Sequence, residues 1–172
     1  MNHTHTEKKI KPVVPKVQEL INASKSVILA TVDADGFPNP SYAPFVQVGS
    51  TFYILVSFMA KHTKNLADGR KTAIMFIKDE SATKQIYARE RLTLEVTPSQ
   101  IERDSEVWNN VVAQLKQAHG KVVDVISGMG DFILIALQPV KGSYVNGFGS
   151  AYFVDAHLEI VEHRNDVNHQ AG

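Results

Sequence analysis

The sequence has no cysteine among its 172 residues. This absence excludes disulfides, thiolate nucleophiles, iron–sulfur clusters and cysteine-ligated zinc or haem. Any metal would have to be held by histidine or by oxygen ligands. The sequence also lacks a Walker loop, a serine–histidine–acid spacing and a zinc-binding histidine pair. Hydrolase and NTPase functions therefore have no support.

An excess of charge of one sign is also absent, because 18 lysines and arginines balance 18 aspartates and glutamates. A protein that binds nucleic acid usually carries a basic excess, so we expect no nucleic-acid partner. The apolar runs are too short to cross a bilayer, and the first residues contain no apolar core of a secretory signal. We therefore expect a cytoplasmic protein without membrane insertion.

Hydrophobic residues make up 44% of the sequence and charged residues 21%, which is typical of a globular domain. A chain of this length can bury the core of one domain without disulfides. We expect a flexible N-terminal segment over residues 1–14 and a single domain over residues 15–155. A polar tail over residues 156–172 contains His163 and His169.

Strand patterns dominate the expected domain. Strands are predicted over residues 26–32, 37–48, 51–58, 72–77, 85–96, 132–137, 143–146 and 150–155. Helices are predicted over residues 15–24, 61–67 and 121–126, and from a capping pattern at residues 97–100 to about Gly120. Because hairpin-length connections join antiparallel strands, these elements predict an α+β fold built on an antiparallel barrel.

Several segments of the sequence resemble a known family. Residues 29–36 (LATVDADG) and 41–45 (SYAPF) are similar to the opening hairpin of the FMN-binding split-barrel superfamily, which includes pyridoxamine-phosphate oxidases. Residues 60–66 (AKHTKNL), 88–93 (ARERLT) and 147–152 (GFGSAY) resemble its HugZ/HutZ haem-utilisation branch. The resemblance implies a six-stranded antiparallel split β-barrel with flanking helices that forms a homodimer.

The same resemblance implies a function in iron acquisition. Members of this branch bind haem b in clefts between two subunits and open the porphyrin ring with oxygen and electrons from an external donor, which the sequence leaves unidentified. Two alternatives remain open. One is an FMN-dependent oxidoreductase of the parent superfamily, and the other is a non-catalytic haem carrier or store. The fold alone does not choose among these functions.

The resemblance also implies that a histidine near the C-terminus binds the haem iron and donates a hydrogen bond to an aspartate of the partner subunit. The positions that fit are His169 and Asp131. The family's glycine-flanked histidine is replaced here by Asn168-His169-Gln170, so His163 is the alternative ligand. From the residues alone, Asp131 either accepts an imidazole N–H or satisfies backbone N–H groups at a turn.

Basic residues form two candidate anion-binding pairs. Arg89 and Arg91 are expected to share one strand face, and Lys61 and Lys64 lie one helical turn apart. Either pair could bind haem propionates or the phosphate of FMN, although solvated strand and helix faces explain them as well. His62 is expected either in the cofactor cleft or at the surface.

Residues near position 148 are the last candidates for contact with a planar ligand. Gly147 and Gly149 flank Phe148, and two glycines that permit positive φ allow the backbone to approach a ring closely. The same three residues equally fit a simple hairpin turn. Flat aromatic surface is also offered by Tyr42, Tyr144 and Tyr152, for which core packing is the alternative.

Overall fold

The structure, a computed structural model, describes residues 14–164. Four α-helices lie in this range: α1 (Val14–Asn22), α2 (Lys61–Ala67), α3 (Glu106–His119) and α4 (Val122–Ser127). The strands are β1 (Ser26–Val32), β2 (Pro38–Pro44), β3 (Val46–Val48), β4 (Thr51–Ser57), β5 (Thr72–Ile77), β6 (Arg91–Ile101), β7 (Phe132–Gly147), β8 (Ser150–Val154) and β9 (Ile160–His163). None of the helices within residues 14–164 is long and apolar enough to cross a membrane.

All nine strands belong to one antiparallel sheet. Its order is β2-β1-β5-β6-β7-β4-β3, with β8 on the second half of β7 and β9 on β8. β2 also contacts β4, which brings the two sides of the sheet together. The α+β split-barrel prediction is therefore confirmed. β8 is the strand predicted over residues 150–155, and the strand predicted over residues 37–48 is divided into β2 and β3. The two strands predicted over residues 132–137 and 143–146 are one continuous strand, β7, and β9 was not predicted.

The long pairing of β6 with β7 bends the sheet. Its register shifts between Glu95 and Val96, and such a bulge increases the local twist of a strand. Opposite Leu94, the chain has Gly142, where a Cβ atom would overlap the carbonyl oxygen of Thr93. A glycine is required there because the two strands approach too closely for any side chain.

Two hydrophobic clusters lie on opposite sides of β7. Inside the barrel, the rings of Phe45 and Phe52 each contact Phe76 with centroids 5.1 Å apart. Outside the barrel, Trp108 of α3 and Leu134 of β7 belong to a second cluster. Because both faces of its first half are covered, β7 has a continuous apolar run instead of an alternating pattern.

The prediction that the main helix begins at residues 97–100 is wrong. β6 continues through this segment to Ile101, and α3 begins only at Glu106, with the Ser105 hydroxyl accepting the Trp108 N–H at 3.2 Å. Pairing with the first half of β7 overrides the local capping pattern. The helix buries Trp108, Val111 and Leu115.

The strand expected over residues 85–96 is present only from Arg91 onward. The preceding segment forms two 3-10 turns, Glu80–Ala82 and Ile86–Ala88, in which the Asp79 and Gln85 side chains accept backbone N–H groups. Such side-chain bonds offer the backbone an alternative to strand pairing. Arg89 is therefore outside β6 and does not share a strand face with Arg91.

The expected C-terminal tail contains a strand. β9 pairs with β8, and Asp155 closes the turn between them by accepting N–H groups of His157 and Glu159. Residues 165–172, including His169, lie outside the described residues, as do residues 1–13.

Candidate functional site

Helix α2 is fixed to the barrel by polar side chains that it buries. Asn65 Nδ2 donates to Thr31 Oγ1 of β1 at 3.0 Å, and Thr63 Oγ1 donates to the Ser57 carbonyl at 2.5 Å. Both donors belong to almost inaccessible residues, and buried polar groups of this kind are normally hydrogen-bonded. These bonds set the direction in which the charged side of α2 faces.

His62 lies on the buried side of the same helix. Only 9% of the residue is exposed, and its Nδ1 lies 2.8 Å from Ser41 Oγ in β2. Burial lowers the pKa of His62 below its ordinary value because the charged imidazolium is poorly solvated there. The surface alternative for His62 is therefore wrong, and the residue links α2 to β2.

The two lysines of α2 face outward and are paired with carboxylates. Lys61 Nζ lies 3.1 Å from Asp33 Oδ2, and Lys64 Nζ lies 3.2 Å from Asp68 Oδ2. Hydrogen bonds from Lys64 and then Arg70 lower the pKa of Asp68. The lysines line a cleft of about 380 Å³, so an anion that bound there would compete with these carboxylates.

Asp131 is joined to the end of β4. Ser57 Oγ donates to Asp131 Oδ2 at 2.5 Å, and the Phe58 N–H donates to the Asp131 carbonyl at 2.9 Å. The Met59 N–H in turn donates to Ser57 Oγ at 3.0 Å. Asp131 is exposed, so its carboxylate is held in position at the surface beside the turn that leads into α2.

The arginine and glycine candidates form a second group. Arg91 begins β6 and donates to the Arg89 carbonyl at 3.0 Å, while Arg89 forms an ion pair of 2.9 Å with Glu80. Gly147 ends β7 and lines a groove of about 390 Å³ together with Phe148, which is 71% exposed. Of the two glycines around Phe148, only Gly149 adopts a positive φ, at 64°.

These two groups lie at opposite ends of the barrel. Lys61, Lys64 and Asp131 lie beyond the Thr72–Val96 pair, at what we term the lysine end. His62 belongs to the same helix as the lysines, and its side chain reaches back to Ser41 of β2. Arg89, Arg91, Gly147 and Phe148 lie around the Ile77–Arg91 pair, at the arginine end. Five residues of β6 separate these two pairs, or about 17 Å at 3.4 Å per residue. One chain therefore does not bring the predicted site residues together.

The outward-facing side of the sheet lies between the two ends. A row of mutually paired residues, termed the outer row, crosses six strands and is formed by Tyr42, Ile28, Met75, Thr93, Ser143 and Phe153. Ile28, Tyr42 and Phe153 are exposed hydrophobic residues. Arg91 lies two residues from Thr93 and therefore on the same face. Thr93 and Ser143 separate Phe153 from the apolar group of Tyr42, Ile28 and Met75. Exposed apolar side chains grouped on a sheet face are typical of an interaction surface.

His163, the alternative ligand for the haem iron, lies in β9 at the arginine end. Its Nε2 donates to the Gly149 carbonyl at 3.0 Å, and its ring contacts Tyr152 edge-on, with centroids 5.0 Å apart. In this arrangement Nε2 carries the proton and does not bind a metal. Within residues 14–164, no three histidine, aspartate or glutamate side chains form a group that could hold a metal ion.

Sequence reasoning missed a buried acid–phenol pair near Arg91. Tyr144 is fully buried, and its hydroxyl donates to Glu90 Oε1. Burial and then the hydrogen bond to Glu90 raise the pKa of Tyr144 well above its ordinary value. Tyr144 also stacks on Tyr152, with centroids 6.4 Å apart. Glu90 belongs to the ARERLT motif, but the alternation of residues along the strands does not predict its contact with Tyr144 of β7.

Known proteins share this architecture. The pyridoxamine 5'-phosphate oxidase family profile matches residues 13–146. Haem oxygenase HutZ of Vibrio cholerae serotype O1 is 46% identical over 140 residues, which cover 81% of this chain and 80% of HutZ.

Solved structures agree with the sequence comparisons. A crystal structure of HutZ from Vibrio cholerae, described there as a haem storage protein, superposes with a TM-score of 0.70 at 43% identity over 75% of this chain and 91% of HutZ. ChuZ of Campylobacter jejuni superposes with a TM-score of 0.81 at 31% identity, over 92% of this chain and 64% of ChuZ. The chain therefore belongs to the pyridoxamine 5'-phosphate oxidase family, and within it to the HugZ/HutZ branch.

Proposed function

We propose that the protein binds haem b between the subunits of a homodimer and opens the porphyrin ring, using oxygen and electrons from an external donor. The observation that carries this proposal is the 46% identity, over most of the chain, to a protein named as a haem oxygenase. Release of iron from haem would make the protein part of iron acquisition. The cytoplasmic location expected from the sequence stays a prediction, and cell fractionation tests it.

The division of the candidate residues between two ends of the barrel supports a shared site. In a symmetric dimer the same surface of both subunits forms the interface. In the proposed dimer, the outer rows of the two subunits face each other, and the two-fold axis lies between them, perpendicular to the strands. This axis reverses the direction of the strands, so the lysine end of one subunit lies against the arginine end of the other. Two equivalent clefts are then formed, each bordered by the lysine end of one subunit and the arginine end of the other.

The residues at these two ends fit haem. Ile28, Tyr42 and Phe153 of the outer row provide exposed apolar surface. Arg91, on the same face, provides a cation that is suited to a propionate. A chain without cysteine can offer histidine, methionine or tyrosine to haem iron as an axial ligand, and the resemblance to the HugZ/HutZ branch implies histidine. We assign this role to His169, the position that the family resemblance indicates. The hydrogen bond of His163 Nε2 to a carbonyl removes that nitrogen, but not Nδ1, as a donor to iron. When bound, haem supplies the oxygen and electron chemistry of ring opening.

Other residues of the chain set the electronic properties of the haem iron and the position of the haem. Asp131 of the partner subunit accepts the second N–H of the ligating imidazole, which fixes its tautomer and makes it a stronger donor to iron. Lys61 and Lys64 sit at the same end as Asp131 and are placed to attract the carboxylates of the ligand, in competition with Asp33 and Asp68. His62 holds α2 against β2 and so maintains the position of both lysines.

A titration followed by reduction tests the function. The purified protein is titrated with haem and, separately, with FMN, and absorption is recorded. We expect a sharp Soret band with a histidine-ligated pattern, and loss of that band with release of iron when ascorbate and oxygen are added. Stable haem under these conditions would instead favour the carrier or store that one description of HutZ suggests. Tight binding of FMN without haem binding would favour the oxidoreductase alternative.

A further inference from the structure

Arg103 bridges the turn between β6 and α3 to the loop that carries Asp131. Its guanidinium donates three hydrogen bonds to backbone carbonyls: Nη1 to Ser127 at 2.6 Å, and Nη2 to Met129 at 2.9 Å and to Phe132 at 2.7 Å. The Ser127 and Phe132 carbonyls bracket residues 128–131, and the Met129 carbonyl lies within this range. One planar, charged group therefore spans the whole loop.

The position of Arg103 is itself determined by its surroundings. The guanidinium carbon lies 4.5 Å from the ring centroid of Trp108, whose residue is 4% exposed. The next residue along the chain, Asp104, adopts a left-handed φ of 63°, which is costly for most side chains but tolerated by aspartate. Ser105 then caps α3. These features hold the arginine between the Trp108 ring and the loop.

The loop has little internal means of holding its shape. Gly128 and Gly130 flank the half-exposed Met129, and glycine leaves the backbone free to adopt many conformations. Its closing bond, from the Phe132 N–H to the Met129 carbonyl, is long at 3.3 Å. The loop is held from outside on two sides, by Arg103 and by the Ser57 and Phe58 bonds to Asp131.

We propose that Arg103 is a positioning residue for Asp131. By fixing the backbone of residues 127–132, it keeps the carboxylate where it accepts the imidazole N–H of the haem ligand. A hydrogen bond weakens steeply when its distance or angle departs from the preferred range, so a loop that moved freely would lose this contact. The inference rests on the role given to Asp131 in the proposed function.

The first test needs no haem. Hydrogen–deuterium exchange is measured on the haem-free full-length protein for Arg103→Met, Arg103→Lys and the control Lys116→Met. Lys116 forms an ion pair of 2.8 Å with Asp124 between α3 and α4 but does not touch the loop. We expect the Phe58 and Phe132 amides to exchange roughly tenfold faster or more in Arg103→Met, because several charge-assisted bonds are lost. Unchanged exchange in Arg103→Met, or equal acceleration in Lys116→Met, would overturn the proposal.

The second test follows the iron–histidine stretching frequency of the ferrous haem complex by resonance Raman spectroscopy. We expect Asp131→Asn and Arg103→Met each to lower this frequency, and we expect the double variant to show no further shift. Arg103→Lys should recover part of the shift, because an ammonium donates hydrogen bonds but does not span the three carbonyls as a planar fork does. Additive shifts in the double variant would overturn the proposal.

The two tests separate failure of this inference from failure of the proposed function. If Asp131→Asn leaves the frequency unchanged, Asp131 does not contact the iron ligand, and both the role of Asp131 and the role of Arg103 toward haem are overturned. Accelerated exchange in Arg103→Met would then still establish the structural restraint on the loop. If Asp131→Asn shifts the frequency and Arg103→Met does not, the proposed function stands and only the inference fails.

Discussion

The hydroxyl of Ser57 donates a 2.5 Å hydrogen bond to the carboxylate of Asp131 and joins the last residue of β4 to the residue before β7. The two residues are far apart in sequence and meet because β4 and β7 pair side by side, with Ser57 opposite Phe132. This contact places the aspartate at the lysine end of the barrel.

Ser57→Ala should slow ascorbate-supported haem loss several-fold with little effect on folding. The carboxylate loses a hydrogen bond that orients it. Loss of a direct hydrogen-bond partner of a metal ligand commonly costs about tenfold to a hundredfold in activity, and the effect of Ser57 should be smaller because it contacts Asp131 and not the ligand. The site is exposed, so the free energy of unfolding should change by only about 0.5 kcal/mol. Haem loss and urea unfolding are measured side by side. Ser57→Thr, which keeps the hydroxyl, is the control, and wild-type turnover in Ser57→Ala would contradict this role.

Arg91→Ala should weaken haem binding roughly tenfold to a hundredfold, since a charge-assisted hydrogen bond contributes about 1.5–3 kcal/mol. The side chain faces outward from β6 beside the outer row, whereas its neighbour Leu92 is buried. The fold should therefore survive the change, as thermal unfolding would show. Haem titration gives the affinity, and Lys116→Ala serves as a control for loss of a distant cation. Equal affinities for Arg91→Ala and wild type would return Arg91 to the solvated-surface interpretation.

Ile28→Glu should separate the subunits and abolish haem binding together. Ile28 lies between Tyr42 and Met75 in the outer row and is 38% exposed in the single chain. A carboxylate there is tolerated by a monomer but is buried without a partner in the proposed dimer. Sedimentation at micromolar concentration measures the mass. Val125→Glu, on the exposed side of α4, is the matched control. A monomer that still binds haem with wild-type affinity would exclude the shared cleft.

The histidine assignment is tested by a pair of substitutions. We expect His169→Ala to lose the histidine-ligated spectrum and His163→Ala to keep it, because His163 Nε2 donates to the Gly149 carbonyl. Haem titration and iron-coordination spectroscopy are carried out on both variants. Loss of the spectrum in His163→Ala alone would move the ligand to β9, and loss in neither variant would remove both residues from the iron site.

Several elements follow directly from local sequence. The strands at residues 26–32 and 72–77 and the helix at residues 61–67 are found with the predicted bounds. In each, the spacing of apolar residues or the flanking turn residues carries the signal, and neither depends on distant parts of the chain. The family motifs are local in the same sense, because each is a run of five to eight neighbouring residues, and they therefore indicate the family without any knowledge of long-range contacts.

Other features depended on contacts that local spacing does not encode. Residues 97–101 carry a helix-capping pattern, yet they form a strand because β7 lies alongside them. The buried position of His62 depends on the docking of α2 against β2. The three bonds of Arg103 reach a loop more than 20 residues away, and no periodicity relates the two.

By itself, the sequence determined the class of fold, the family and the kinds of side chain available to a cofactor, because composition, alternation and short motifs are properties of neighbouring residues. Only the tertiary structure decided that these side chains divide between two ends of one barrel, about 17 Å apart by strand length. The physical reason is strand register: the pairing of β5, β6 and β7 sets where each end lies, and that pairing joins residues far apart in the chain.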